Sequence, residues 1–513
     1  MPVLAVVDSC WVHGVEGKPV RVEVKVQDGL PIFTVVGLPA GAVRESKERV
    51  FAALAQTGFR LSPRRVTVNL APADLPKSGS GFDLPIAVAL LAAHERVSRS
   101  GLDGTAFVGE LGLDGSVRPV RGAIALAMSC REHGPGRLFV PHGNLIEAAA
   151  VPGVEVMGIR TLRELIGILD GDTDFRPARH RAPVAVLRCP DLSEVRGQGL
   201  AKRALEIAAA GGHSLLMSGP PGSGKTMLAK RLPGLLPPLA ESECLEVTRV
   251  HSVAGLLDSE EPVKTTRPFR APHHTISAGG LIGGGNPPRP GEISLAHLGV
   301  LFLDEFPEFG RQVLETLRQP IESGEVHIAR VRQTVTFPAR FQLIAAMNPC
   351  PCGMAGDNCV CGVREITRYR VRLSGPLLDR IDLQVWMDPV TWDELARTRT
   401  GGATSGTVLQ QVIEARARQA ARFGGDHGLN ALLPADRVMK LCRLDPAGAR
   451  LLDEGVRRYG LSARTVHRTL RVARTIADLG GRSDIGEFDV AEALRLRAGS
   501  GSRDALSAAG RTD

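Results

Sequence analysis

The chain has 513 residues and a formal net charge of +8, so it exceeds a single core at about two to four domains, and its charge admits an anionic partner without naming one. Only nine of its 63 basic residues are lysine, a bias read as genomic composition, and its nine cysteines are odd in number with four crowded into residues 350–361, which does not suit a secreted disulfide framework. No charged-then-apolar leader opens the chain and its longest apolar run, residues 84–93, is about half a membrane span, so a cytoplasmic protein without a membrane partner is expected.

Residues 1–170 mix strand and helix signals. Val20-Arg21-Val22-Glu23-Val24-Lys25-Val26 and Arg65-Val66-Thr67-Val68-Asn69-Leu70 alternate with period two, while residues 44–56 and 85–93 read as helices. An α+β domain is expected there. Residues 171–190 are polar and proline-bearing, a linker. Residues 191–395 alternate strand and helix signals, which predicts an α/β core with a parallel sheet. Residues 396–499 lose strand signals and turn to arginine-rich helices, a helical lid, and residues 500–513 are small and polar, a disordered tail. No internal repeat is present.

The sharpest motif is Gly219-Pro220-Pro221-Gly222-Ser223-Gly224-Lys225-Thr226, a complete Walker A phosphate loop between a strand-like run and a helix-like run. Its glycines let backbone N–H groups turn inward around phosphates, and the following helix adds its positive end. Lys225 is expected on the β/γ-phosphates of ATP and the Thr226 hydroxyl on Mg²⁺. Downstream, Gly299-Val300-Leu301-Phe302-Leu303-Asp304-Glu305 is an apolar strand ending in two carboxylates, a Walker B motif. Asp304 would hold Mg²⁺ through water and Glu305 would polarise the attacking water.

A second apolar strand, 341–347, ends in Asn348, which fits a sensor of the γ-phosphate; a strand-end asparagine in a turn is the plainer reading. Gly375-Pro376-Leu377-Leu378-Asp379-Arg380-Ile381-Asp382 puts Arg380 where an arginine finger would stand, with Arg372 as competitor. A finger acts in trans and requires an oligomer. Arg464, Arg468 and Arg471 recur at i, i+4, i+7 opposite Val466, Leu470, Ala473 and Ala477. Arg464 is taken as a second sensor at the start of its helix, and Arg468 and Arg471 as a solvated face.

Cys350, Cys352, Cys359 and Cys361 form C-x-C-x₆-C-x-C, a set that suits four thiolates on a structural Zn²⁺, against the alternative of reduced cysteines in a loop. Two arginine-bearing segments are candidates for gripping nucleic-acid phosphates: residues 265–293 with Arg267, Arg270 and Arg289, and the hairpin-like 325–338 with Arg330 and Arg332 near its tip. Aromatic stacking on single strands has little support in a chain with so few aromatics.

The series Asp191-Leu192-Ser193-Glu194-Val195-Arg196-Gly197-Gln198, the phosphate loop, Arg267-Pro268-Phe269-Arg270-Ala271-Pro272-His273-His274, the Walker B strand, Asn348-Pro349-Cys350-Pro351-Cys352 and residues 377–382 closely resembles the YifB/ComM family of magnesium-chelatase-like AAA+ ATPases, over nearly the whole chain. The resemblance implies an AAA+ core with a helical lid, a homo-oligomer working as a hexameric ring, and DNA as a sequence-independent partner, with branch migration the best-specified activity in the family. A chaperone-like motor acting on a protein is the alternative.

Residues 66–145 resemble the Lon protease domain, a fold of the ribosomal protein S5 domain 2 type. In that alignment the nucleophile position is Gly81, with Ser78 and Ser80 out of register. The lysine position is Ile124 or Leu126, and no lysine occurs between Lys77 and Lys202. Serine–lysine hydrolysis needs both groups, so a protease fold without protease activity is expected.

Overall fold

The computed structural model describes residues 3–59, 64–73, 77, 79–98, 101–172, 176–179, 189–258, 260–330, 333–354, 359–392, 403–425 and 428–497. Most of the expected linker, the expected tail, Ser78 and Arg332 lie outside the described residues.

The first part is a mixed sheet of β1 (Val3–His13), β2 (Glu16–Gln27), β3 (Phe33–Val36), β4 (Arg65–Ala71), β5 (Thr105–Phe107), β6 (Arg137–Pro141) and β7 (Glu155–Ile159), in the order β3-β4-β2-β1-β5-β6-β7. The alternation read in β2 has its expected consequence, since Val20, Val22, Val24 and Val26 are all buried. The helix expected over 44–56 divides at Glu45 into a turn, Gly41–Arg44, and α1 (Ser46–Gln56). The apolar run becomes α2 (Asp83–Ala93), buried on every face. It starts ahead of Pro85 because a proline in the first turn forfeits no intrahelical hydrogen bond. Between β5 and β6 in sequence lies α3 (Ala123–His133).

The second sheet is wholly parallel. With α4 (Gly199–Gly211), α5 (Lys225–Ala229) and α6 (Glu241–Ala254) come β8 (Leu215–Ser218), β9 (Phe269–Arg270) and β10 (Val300–Leu303). After α7 (Arg318–Ser323) follow β11 (Glu325–Arg330), β12 (Gln333–Pro338), β13 (Gln342–Met347), α8 (Val363–Val371) and β14 (Leu383–Trp386). The sheet order is β9-β10-β13-β8-β14. β8 and β10 are buried at every residue, the continuous apolar run expected of strands covered on both faces. β11 and β12 form a separate antiparallel hairpin, with Arg330 opposite Gln333.

Beyond residue 403 the described chain is helical apart from turns and one isolated bridge between Leu444 and Ile485; α9 (Ser405–Phe423) and α10 (Ala463–Leu479) share one apolar core with α4 and the parallel sheet. The first part docks on α6: Ser252 Oγ accepts from the Gly122 N–H at 2.8 Å and donates to the buried Glu147, which also accepts from the Ile124 N–H at 2.9 Å. Val15, in the β1–β2 turn, enters the apolar cluster around Phe337 and Val335 of β12.

The expected solvated arginine face of α10 is not found. Arg468 is buried, donating to Asp382 Oδ1 at 2.7 Å and to the Arg380 carbonyl at 2.6 Å, and Arg471 is half-buried. The lid turns that face inward because the parallel sheet ends in a buried carboxylate that needs cations. Burial alone pushes the Asp382 carboxyl up, but the hydrogen bond from His213 and the charges of Arg468 and Arg497 outweigh it and hold it down at about 2. A carboxylate held there rather than near ~3.9 contributes on the order of 2–3 kcal/mol of stability above pH ~4, lost as the pH falls toward 2. Asp382→Asn should remove at least that much at neutral pH, and urea unfolding curves should lose the steep acid limb that the unaltered chain shows below pH ~4.

Candidate active site

Because β8, β10 and β13 run parallel, their carboxyl ends fall on one edge: Ser218 pairs with Met347, and Leu303 with Ala345. The residues that follow each strand are therefore neighbours, the usual place for a ligand in an open α/β sheet. The phosphate loop leaves β8 with Gly222 and Gly224 at φ 77° and 92°, a left-handed backbone that a β-carbon would strain. Gly219 lies so close to the Met387 carbonyl that no side chain fits there, and Ser223 is fully buried.

Lys225, 8% exposed, opens α5 and folds back over the loop. Its Nζ donates to the Gly219 carbonyl at 2.7 Å, the Pro220 carbonyl at 2.9 Å and Asn348 Oδ1 at 3.2 Å. Burial draws its ammonium below the ordinary lysine range, with the Asp304 charge opposing. Thr226 Oγ1 donates to Asp304 Oδ2 at 2.7 Å, placing together the two groups expected on Mg²⁺. Pro221 of the loop is exposed. Five predicted residues from three strand ends thus meet: Lys225, Thr226, Asp304, Glu305 and Asn348.

Glu305 stands at φ 52°, in the left-handed region rare for a residue with a side chain, and its carboxylate lies 3.0 Å from His274 Nδ1. Sequence reasoning quoted His274 without giving it a role. Its signal was position alone, four residues beyond a strand that pairs with the Walker B strand. Gln198 was also passed over. Its side-chain amide donates to the Ser223 carbonyl at 3.2 Å and the Asp388 carbonyl at 2.6 Å, tying the loop to the end of β14.

Arg380 and Arg464 are elsewhere. Arg380 precedes β14, and Leu383 pairs with Leu215, so it sits at the amino edge of the sheet, opposite the phosphate loop. Its guanidinium lies 3.0 Å from Glu322 of α7, and Arg464 binds the same carboxylate. Burial pushes the Glu322 carboxyl up, but the hydrogen bond and charge of Arg380, with those of Arg464, hold it below the usual carboxylate range. Glu322 carried no motif and was missed. Arg372 instead pairs with Glu308 at 2.5 Å, just past the Walker B carboxylates.

The four cysteines converge. Their sulfurs all lie within 4.8 Å of one another, with 3.3 Å between Cys350 and Cys352, 3.5 Å between Cys350 and Cys359 and 3.8 Å between Cys352 and Cys359. Four sulfurs at about 2.3 Å from a tetrahedral ion stand about 3.8 Å apart, so the donor set fits a soft divalent metal. The segment around 265–293 departs from expectation. Arg267 is locked by the Pro237 and Leu298 carbonyls and Glu243, and Arg270 by a bidentate pair with Glu292 at 2.6 and 2.7 Å, so neither is free to grip a phosphate.

A five-stranded parallel sheet with a phosphate loop, two Walker B carboxylates and a strand-end asparagine on one edge, and a helical lid beside it, defines an AAA+ nucleotide-binding protein of magnesium-chelatase type. Family models agree: magnesium chelatase, subunit ChlI, matches residues 191–395, a second model for subunit ChlI of Mg-chelatase matches residues 22–144, and magnesium chelatase, subunit ChlI C-terminal, matches residues 402–497. The chain is 43% identical to YifB of Escherichia coli (strain K12) over 96% of this chain and 97% of that one. It is 44% identical to the competence protein ComM of Haemophilus influenzae, again over 96% and 97%. The chain belongs to the YifB/ComM family of magnesium-chelatase-like proteins. A weaker likeness, 24% over 136 residues, links it to Lon protease 2 of Bacillus subtilis (strain 168). Membership implies nucleotide binding with Mg²⁺ and ATPase chemistry.

Lys225→Ala should cost on the order of 2–3 kcal/mol of charge-assisted hydrogen bonding to phosphate, a loss of roughly 30–150-fold in nucleotide affinity, read by titration with a fluorescent ATP analogue.

Proposed function

We propose that this protein is a ring-forming ATPase, a hexamer, that couples ATP hydrolysis to DNA translocation or remodelling, with branch migration as its specific activity. The observation that carries the reading is the meeting of Arg380 and Arg464 on Glu322 at the sheet edge opposite the phosphate loop. The four residues of β8 span about 13 Å between the two edges, farther than an arginine side chain extends. Each chain then offers half a site: a nucleotide pocket on one edge, and a finger and second sensor on the other for its neighbour's nucleotide.

In that site Lys225 holds the β/γ-phosphates, Thr226 and Asp304 hold Mg²⁺, Glu305 polarises the attacking water and Asn348 senses the γ-phosphate. Arg380 and Arg464 of the adjacent copy stabilise charge that develops in the transition state. His274 restrains Glu305 until the site is loaded. A Zn²⁺ on Cys350, Cys352, Cys359 and Cys361 completes the cofactors. The proposed division is 1–170 as a protease-like domain without protease activity, 191–395 as core and 396–499 as lid, in a cytoplasmic protein. Gly81 stands beside Val108 and Val120, and Ile124 and Leu126 are buried, which supports the absence of a serine–lysine pair.

DNA is favoured by the name of the Haemophilus relative, a competence protein, and by the exposed Arg330 and Arg289. These converge near Gly284, which pairs with Arg289 and where a β-carbon would lie 3.5 Å from the Arg330 guanidinium. A protein-remodelling motor is the second reading, favoured by exposed Leu30, Ile32, Val36 and Leu38 around the edge strand β3.

Steady-state ATP hydrolysis with single-stranded, forked and four-way-junction DNA tests the first reading, with Glu305→Gln as the blank. Stimulation of several-fold by junctions is expected; hydrolysis indifferent to every DNA would overturn it in favour of a protein substrate. Arg380→Ala and Lys225→Ala should each be inactive, while their mixture regains turnover because each supplies the half-site the other lacks. Normal turnover by Arg380→Ala alone would remove the finger assignment.

A further inference from the structure

The thiolate cluster is built into the wall of the nucleotide pocket. Residues 348–353 run from Asn348, which accepts from Lys225, through Cys350 and Cys352 to Gly353. Gly353 has φ 80°, and a β-carbon on it would lie 2.7 Å from Cγ of Pro221 in the phosphate loop and 3.8 Å from the Asn348 side-chain nitrogen. The cysteine turn therefore packs bare backbone against the phosphate loop. On the other side Cys359 and Cys361 lead directly into α8, whose Glu365 accepts from the Gly362 N–H at 2.9 Å and whose Tyr369 is buried. The Cys352 N–H points at Cys361 Sγ at 3.4 Å, the kind of backbone support that orients a metal-bound thiolate. The turn's first half is further tied by the Cys350 thiol donating to the Met354 carbonyl at 2.9 Å and by the Gly353 N–H donating to the Cys350 carbonyl at 3.0 Å.

We propose that Zn²⁺ on these four cysteines acts as a brace for the phosphate loop, so that metal occupancy sets nucleotide affinity. The inference rests on the nucleotide-binding reading of Lys225 and its loop. Four thiolates leave no open position on the ion, so it takes no part in hydrolysis. It fixes where Gly353 presses on Pro221 and where Asn348 presents its oxygen to Lys225. A displacement of an ångström in such a group is worth up to ~100-fold in a positioned interaction. Removing the metal leaves every phosphate-contacting side chain present but unheld.

The test uses the full-length chain purified under reducing conditions without chelator. Zinc is counted by plasma mass spectrometry and nucleotide affinity by titration with a fluorescent ADP analogue. Circular dichroism melts run in parallel. One zinc per chain is expected. Cys359→Ser/Cys361→Ser should lose it, and nucleotide affinity should fall at least about tenfold. Gly353→Ala keeps all four thiolates and separates the brace from folding: it should retain zinc and a cooperative melt yet lose nucleotide affinity by a similar factor. Zinc-free protein of full affinity overturns the metal site. If the unaltered chain carries zinc but nucleotide affinity stays within about twofold of it in both variants, the coupling is overturned. An unaltered chain that carries zinc but binds no nucleotide overturns the inference through the reading beneath it, and is told apart by the intact metal count.

Discussion

Asp382 is a carboxylate at the amino edge of the parallel sheet, 7% exposed, and three separate pieces of the molecule are arranged around it. His213, just ahead of the phosphate-loop strand, is 3.3 Å away, Arg468 of the lid is 2.7 Å away, the Arg497 guanidinium reaches its backbone carbonyl, and Ser214 Oγ accepts from its N–H at 2.9 Å. A buried anion left without those partners would be worth several kcal/mol of destabilisation, so sheet, lid and the turn holding Arg380 must come together in one arrangement. Arg468 also donates to the Arg380 carbonyl, which fixes the backbone from which the proposed finger projects. The lid is thus more than a cover on an apolar face. It supplies the cations that let the sheet end in a charge.

That constraint separates the two edges of the sheet in chemistry. The carboxyl edge collects backbone donors, a lysine and two carboxylates, the groups that the proposed function assigns to a metal-bound triphosphate. The amino edge collects arginines around two carboxylates, Asp382 with Arg468 and Glu322 shared by Arg380 and Arg464. Under the function proposed above, neither edge is a complete site, copies assemble edge to edge, and Glu322 holds the two guanidiniums until phosphate charge replaces it.

The amino-terminal part is fixed to this core by contacts of a different kind. Glu147, buried and pushed up by burial against the pull of Ser252, Ile124 and Asn144, sits at the seam with α6. Val15 inserts among the residues that form the base of the β11–β12 hairpin. A fold with no serine–lysine pair in the positions that match Lon is here a structural neighbour of the hairpin.

Much of this was legible in the chain. The phosphate loop, the Walker B strand and the parallel core follow from local rules: glycines where the backbone must turn inward, apolar runs where a strand is covered on both faces, and an alternating β2 where it is half covered. The C-x-C-x₆-C-x-C spacing made a thiolate cluster readable because sequence neighbours must also be spatial ones. The misreadings share one cause. Arg468, Arg267 and Arg270 look like solvated or ligand-gripping arginines because an amphipathic pattern records which face is polar, not whether a distant carboxylate will be buried against it. Asp382 and Glu243 stand far from those arginines in sequence, and His274 and Glu322 belong to no spacing rule. Sequence by itself determined the nucleotide chemistry, since a phosphate loop is a local object whose geometry is set by adjacent residues. Only the tertiary structure decided which charges are neutralised inside, which edge carries the arginines and what presses on Pro221, because those depend on distances between segments that the chain order leaves free.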